Sequence, residues 1–299
     1  MIRPKLIFVP VFSIILSQIT RFIRNDTYRT VCAADEIQGP RDLAYVQRKK
    51  VFSQIIVDDE RKFLYCFVPK VACSNWKRVI KYMQGNLDDI GKNIKMDHKT
   101  DLVFLDEFSK HEIQYRIRSY YKFMFVRNPM ERLLSAYRNK FGENVGEYRK
   151  RYGPQIVKRY RGPGAVDDGH YDDITFEEFI RLIIDMDVMK MDPHWMPMHE
   201  LCQPCAVNYD FIGSFEHLQA DAKYVLEHIR GDTDAYFPKR QRYYDPTTQD
   251  KIETALSTVN PVYLQQLIDK YILDFILFGY SPPKKHTYKG DVYFSPSFP

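Results

Sequence analysis

Three stretches of the chain repeat one pattern of hydrophobic and polar positions: a short apolar run, a polar turn, then apolar residues at helical spacing. In the first, Phe63-Leu-Tyr-Cys-Phe-Val68 is continuously apolar with aromatic and β-branched members, which predicts a strand covered on both faces, a central parallel strand. The turn Pro69-Lys-Val-Ala-Cys73 follows, and then Trp76, Val79, Ile80 and Met83 recur at helical spacing. Lys77, Arg78 and Lys81 fall on the opposite, polar face of that helix, and Ser74 is its expected cap. The second stretch runs from Phe123-Met-Phe-Val126 through Arg127-Asn128-Pro129 into a helix with the stripe Met130, Leu133, Leu134, Tyr137 and Phe141. Asn128 suits its cap and Pro129 its first position. The third leads from Tyr209-Asp-Phe-Ile212 through Gly213-Ser214 into Leu218, Ala222, Val225 and Ile229, and stops at Gly231.

Three strand-to-helix units predict the α/β class, a central parallel sheet flanked by helices. Asn260-Pro261 opens a further helix, and Asp274-Phe-Ile-Leu-Phe278 returns as apolar packing. At the N-terminus the apolar run Leu6 to Ile19 lies between Arg3 and Lys5 on one side and Arg21 and Arg24 on the other. Its end lacks the small residues of a cleavage site, so residues 1–23 are expected to be an uncleaved signal-anchor. The flanking charges leave the orientation open. Residues 24–50, polar and carrying Gly39-Pro40, are expected to be a short stem, and residues 51–299 the folded domain.

Composition adds little to this and charge adds more. With 44% hydrophobic and 28% charged residues, the 299-residue chain suits one large core and excludes a disordered or low-complexity protein. The net charge of +5 is mild, but basic residues are grouped at Arg149-Lys150-Arg151, Lys158-Arg159, Arg161 and Lys239-Arg240 with Arg242, which favours an anionic ligand. Tyr148, Tyr152 and Tyr160 interleave with the first groups, so that stretch is a candidate groove for an acidic polysaccharide, the alternative being an ordinary solvated helix. Of five cysteines, Cys202 and Cys205 form a Cys-x-x-Cys that suits a zinc half-site, a redox pair or a disulfide. No second half-site accompanies it, so no metal is expected, and structural disulfides or buried thiols are favoured. Asn25-Asp-Thr27 is the one glycosylation sequon.

The candidate chemistry sits in the first two turns. In an open parallel sheet, ligands bind beyond the C-terminal ends of strands, where helix N-termini offer free N–H groups and a positive dipole. The turn Pro69 to Asn75 can cradle a phosphate, with Lys70 adding charge and Ser74 a hydroxyl. It lacks the glycines of a nucleoside-triphosphate loop. Arg127 gives the second turn its own cation, and two cationic turns on one sheet suit a bisphosphorylated nucleotide. Ser135, at helical spacing from Glu131, Arg132 and Arg138, offers a further hydroxyl.

At these residues the chain resembles the membrane-bound carbohydrate sulfotransferases of the chondroitin 4-sulfotransferase and HNK-1 sulfotransferase group. Tyr65-Cys-Phe-Val-Pro-Lys-Val-Ala-Cys-Ser-Asn-Trp-Lys77 is similar to the group's 5′-phosphosulfate loop, and Phe125-Val-Arg-Asn-Pro-Met-Glu-Arg-Leu-Leu-Ser135 through Phe141 to its 3′-phosphate motif. His194-Trp195 with Pro197, then Leu201-Cys-Gln-Pro-Cys205 and Tyr209 to Gly213, resembles its third block, so the likeness covers roughly residues 51–281. Asn128 departs from the acidic residue more usual there, which puts any role for a negative charge in doubt.

The resemblance implies a P-loop-like sulfotransferase fold and a donor, 3′-phosphoadenosine 5′-phosphosulfate. By it, Pro69, Lys70, Val71, Ala72, Cys73, Ser74 and Asn75 hold the 5′-phosphosulfate. Arg127, Asn128, Pro129, Met130, Glu131, Arg132, Leu133, Leu134 and Ser135 hold the 3′-phosphate, with Arg127 and Ser135 the main contacts. The implied acceptor is the 4-hydroxyl of N-acetylgalactosamine in chondroitin, with dermatan or a terminal glucuronic acid as alternatives. The implied location is the Golgi membrane, single-pass type II, with the domain lumenal and no nucleic-acid partner. Lys70 is positioned to stabilise charge growing on the leaving phosphate. The acceptor's proton needs a base, and His98 is the first candidate and His194 the second. Trp195 is a candidate to stack on a sugar or, equally, a core residue. A phosphotransferase using ATP and a non-catalytic binder of sulfated glycans are the competing functions.

Overall fold

Both of the first two apolar runs are strands in the computed structural model, and they lie side by side. The structure describes residues 8–34, 50–91, 102–142, 146–162, 165, 171–239, 247–288 and 291–295. Its five-stranded sheet uses β1 (Ile55–Asp58), β2 (Phe63–Cys66), β3 (Val103–Phe104), β4 (Tyr121–Val126) and β5 (Phe211–Ser214) in the order β3-β1-β2-β4-β5. β2, β4 and β5 are parallel, with Cys66 opposite Met124 and Val126 opposite Ser214. The sheet is mixed, because β1 runs antiparallel to both β2 and β3. Ile-Ile-Val-Asp at 55–58 is too short a run to announce itself, and Lys62, with φ of 54°, completes the tight turn that returns it as β2. The third strand begins at Phe211, two residues later than the sequence pattern places it.

The chain divides into two compact units where one domain over 51–299 was expected. The first comprises Met1–Arg127, Leu201–Arg242 and Leu277–Gly279; the second comprises Asn128–Glu200, Tyr243–Ile276 and Tyr280–Pro299. The sheet and its aromatic core belong to the first. Tyr65 and Phe123 stack at 4.9 Å between ring centres, and Trp76 meets Phe123, Phe125 and Phe237, each at 5.1 Å. Gly213 is required where β5 passes β4, since a Cβ there would lie 2.4 Å from the Phe125 ring. The second unit is built from helices Pro129–Tyr137, Gly146–Ile156, Phe176–Asp185 and Pro261–Lys270 and a hairpin of β6 (Lys284–Tyr288) and β7 (Asp291–Ser295). Asn260 caps the last of these helices through the Val262 N–H.

The N-terminal expectation needs correction. Phe8–Ala33 is one helix, and residues 24–33 are packed onto the first unit rather than forming a stem. Asn25 explains the packing: its Oδ1 accepts from Ile212 N–H at 2.8 Å and its Nδ2 donates to Ile212 C=O at 3.1 Å. One side-chain amide thus occupies both backbone hydrogen-bonding groups of a residue on the sheet's edge strand. Tyr28 is buried and donates to Pro204 C=O, and Arg24 approaches Asp221 at 3.6 Å. A glycan on Asn25 is incompatible with this seating, because the amide nitrogen is buried against two carbonyls. No helix among the described residues is long and apolar enough to cross a membrane. Residues 35–49, the remainder of the expected stem, lie outside the described residues.

The cysteine pair at 202 and 205 is a double tether. Cys202 bonds to Cys66 at the end of β2, Cys205 bonds to Cys32 on the N-terminal helix, and Cys73 carries a free thiol. Neither a local disulfide nor a zinc half-site forms, and among the described residues no His, Cys, Asp and Glu side chains gather as a metal site.

Candidate functional site

The turn after β2 has the backbone of an anion cradle. Lys70 and Ala72 hold left-handed conformations, with φ of 69° and 57°, at a cost of roughly 1 kcal/mol or more each for residues with a Cβ. Alternating hands along the chain turns successive N–H groups toward one side. The helix Cys73–Met83 then starts with Ala72 as its N-cap, and no side chain caps it. Ser74, expected as that cap, lies inside the first turn instead. The first N–H groups of the helix therefore point outward at its positive end without a capping side chain, the arrangement that binds phosphate or sulfate.

β4 ends beside β2, and Arg127 follows it directly. The Arg127 guanidinium is buried at 1% exposure, donates to the Lys70 carbonyl at 3.3 Å and lies 4.2 Å from the Phe215 ring centre. The first unit thus joins the two cationic turns through a bond from one to the other's backbone. It also buries three cations assigned to the polar face of the helix: Lys77, Arg78 and Lys81 are each at most 8% exposed. Helical periodicity placed them outside, but both sides of this helix are covered.

In the second unit, Asn128 caps the helix Pro129–Tyr137 as expected, accepting from Met130 N–H at 3.0 Å and Glu131 N–H at 3.4 Å. Pro129, Met130, Leu133, Leu134 and Ser135 are buried. Arg132 is 1% exposed and donates to the carbonyls of Pro193 and Met196, both at 2.7 Å. It holds the segment that carries His194. Nδ1 of His194 meets Asp192 Oδ1 at 2.7 Å and the Tyr148 hydroxyl at 3.3 Å. Asp192 also accepts from the His194 N–H at 2.9 Å, and His194 holds its carboxyl below the ordinary range against the opposing effect of burial. Asp192 went unrecognised in the sequence, although Asp-Pro-His is a spacing at which a short carboxylate bonds the backbone two residues on. The Tyr271 hydroxyl donates to the Trp195 carbonyl. Trp195 itself is fully buried among Phe141, Tyr152 and Phe179, a core residue and not a sugar platform. His98 lies outside the described residues.

The basic stretch is partly paired with carboxylates. Arg149 pairs with Asp172 at 2.6 Å, Arg159 with Asp185 at 3.0 Å, and Arg161 with Glu178 at 2.6 Å and Asp173 at 2.8 Å. Tyr152 is buried, and Tyr160 donates to Asp185. Lys150, Arg151 and Lys158 remain exposed, with Arg151 4.0 Å from Asp192, so the expected groove keeps these charges while the rest are closely paired.

Residues 53–281 match the description "Sulfotransferase family". The chain belongs to that family. Among related family members, carbohydrate sulfotransferase 14 of Danio rerio is 50% identical over 273 residues, 91% of this chain and 74% of that protein. Carbohydrate sulfotransferase 14 of Homo sapiens is 50% identical over 267 residues, 89% and 70% of the two chains. Carbohydrate sulfotransferase 11 of Mus musculus is 35% identical over 283 residues, 90% and 77%. No solved structure matches the chain at a significant level. For this sulfotransferase the α/β sheet with its parallel β2, β4 and β5 agrees with the fold that the sequence implies.

Proposed function

We propose that this sulfotransferase moves a sulfuryl group from 3′-phosphoadenosine 5′-phosphosulfate to the 4-hydroxyl of N-acetylgalactosamine in chondroitin. Family membership supports sulfuryl transfer to a carbohydrate; the donor, acceptor and residue roles are the further reading. The observation that carries it is the uncapped, left-handed turn at Lys70 bonded to Arg127. Such a turn fits a 5′-phosphosulfate at the helix N-terminus, and Arg127 with Ser135 is assigned to the 3′-phosphate. The bound donor supplies the sulfuryl group and a bisphosphate leaving group.

Lys70 is assigned to the oxygen on which negative charge grows as the sulfur–oxygen bond breaks, so its effect falls on the transition state more than on binding. Among the candidate bases, His98 and His194, the second is held in orientation by Asp192, which bonds its Nδ1 and so fixes the tautomer. No step calls for a metal ion. The same reading assigns the protein to the Golgi membrane through residues 1–23, with the remainder lumenal; resistance of the full chain to carbonate extraction tests that anchor.

The deciding experiment compares nucleotides and a variant. The desulfated 3′,5′-bisphosphate should raise the melting temperature and ATP should not. Lys70→Ala should bind that bisphosphate yet lose at least about 100-fold in kcat. Disaccharide analysis with chondroitin and dermatan acceptors reads the position sulfated. Stabilisation by ATP alone, or wild-type turnover in Lys70→Ala, refutes the assignment.

A further inference from the structure

The helix that opens the donor turn carries a cation with no counter-charge. Lys77 is 0% exposed, and its Nζ makes no hydrogen bond or ion pair among the described residues. It stands 3.6 Å from the ring centre of Phe67, which joins β2 to the turn, and 5.9 Å from that of Phe104 in β3. Aromatic faces return only a small part of what burying an unpaired ammonium costs. Helix geometry makes the position worse. Lys77 lies in the second turn of Cys73–Met83, and helical side chains lean toward the N-terminus, here the positive end of the dipole. Cys73, four residues earlier, lies on the same face.

We propose that Lys77 is a second cation of the donor site, a buried charge behind the turn that is balanced when the donor's 5′-phosphate occupies it. This rests on the donor reading above and deepens it. Lys77 does not line the cradle; it adds positive potential from behind, through a low-dielectric wall. An anion at the uncapped N-terminus would supply the counter-charge that the rings of Phe67 and Phe104 do not. Burial, opposed by Cys73 and reinforced by Lys81, lowers the Lys77 ammonium to about 8. Among the described residues, those two side chains, both on its own helix, are the ionisable groups that bear on it, while Phe67 and Phe104 present rings. A dianion at the turn raises that value again, so nucleotide binding takes up protons near pH 8.

Calorimetry of adenosine 3′,5′-bisphosphate binding at pH 8, in two buffers of different ionisation enthalpy, tests this. The wild type should take up about half a proton per nucleotide, since half of Lys77 is neutral beforehand. Lys77→Met should bind at least about tenfold more weakly with no uptake. It should also melt higher, because an apolar side chain replaces a buried charge. Affinity for adenosine 3′-monophosphate, which lacks the 5′ group, should be the same in both proteins. Equal bisphosphate affinity in Lys77→Met, uptake that survives in it, or a lower melting temperature for Lys77→Met would each overturn the proposal. A wild type that binds no bisphosphate would overturn the donor reading along with it.

Discussion

Asn25→Ala removes a side chain that stands in for a neighbouring strand. The amide makes two bonds to the Ile212 peptide, at 2.8 and 3.1 Å, and one to Arg21 C=O at 2.9 Å, and Asn25 is 8% exposed. Two net hydrogen bonds contribute about 1 kcal/mol each, and a buried N–H or C=O left unmet costs a further ~1–3 kcal/mol. Water reaching the truncated site would meet part of that need, so the expected loss is about 2–4 kcal/mol. Asn25→Asp should be at least as harmful, since it keeps the acceptor for Ile212 N–H and sets a second acceptor against Ile212 C=O. Urea unfolding followed by the fluorescence of buried Trp76 measures the effect as a lower midpoint at unchanged slope. Asn25→Ala with the wild-type midpoint would show that the N-terminal helix does not hold the β5 edge.

Two more perturbations follow from the packing. Gly213→Ala places a methyl 2.4 Å from the Phe125 ring and should cost about 1–3 kcal/mol in urea unfolding, with partial recovery when Phe125→Leu is added. His199 provides a pH test: burial lowers its pKa, but hydrogen bonds to Asp274 and Glu200 outweigh that and hold it at about 9. A folded value above the unfolded one means the stabilisation is complete below about pH 6.5 and is lost as pH rises through 9. The span corresponds to on the order of 3 kcal/mol. Asp274→Asn, which removes the negative charge 2.7 Å from His199 Nδ1, should flatten that slope between pH 6.5 and 9.5, leaving the share owed to Glu200; an unchanged slope would assign it elsewhere.

The strands and caps were legible because they rest on local chemistry. Continuous apolar runs gave β2 and β4, and Asn-Pro gave two helix starts that the Asn128 and Asn260 side chains cap. What failed was any inference in which charge stood for exposure. Lys77, Arg78 and Lys81 are long cations that helical spacing sends to the surface, yet all three are buried, Lys77 beside two phenylalanine rings. The basic stretch failed for the same reason, since its partners Asp172, Asp173, Glu178 and Asp185 lie in a later segment. That the turns of Lys70 and Arg127 adjoin was legible because the rule used for them concerns topology: parallel strands end at the same edge, so their turns meet. Asn25 was invisible as a structural residue because its partner is a backbone peptide far along the chain, and its one local signal was a sequon.

The disulfide connectivity has a consequence for the order of events during synthesis. Cys32 and Cys66 both await partners in the Cys202–Cys205 turn, 173 and 136 residues further on. At about 5–20 residues per second, the interval between Cys66 and Cys202 leaving the ribosome is on the order of ten seconds. Throughout that time the early thiols Cys32, Cys66 and Cys73 have only one another to react with, and every pairing among them is non-native. A bond between Cys66 and Cys73 would bridge the donor turn itself. Maturation in an oxidising compartment therefore depends on thiol–disulfide exchange as well as on oxidation, and the nascent chain is a natural client for an isomerase.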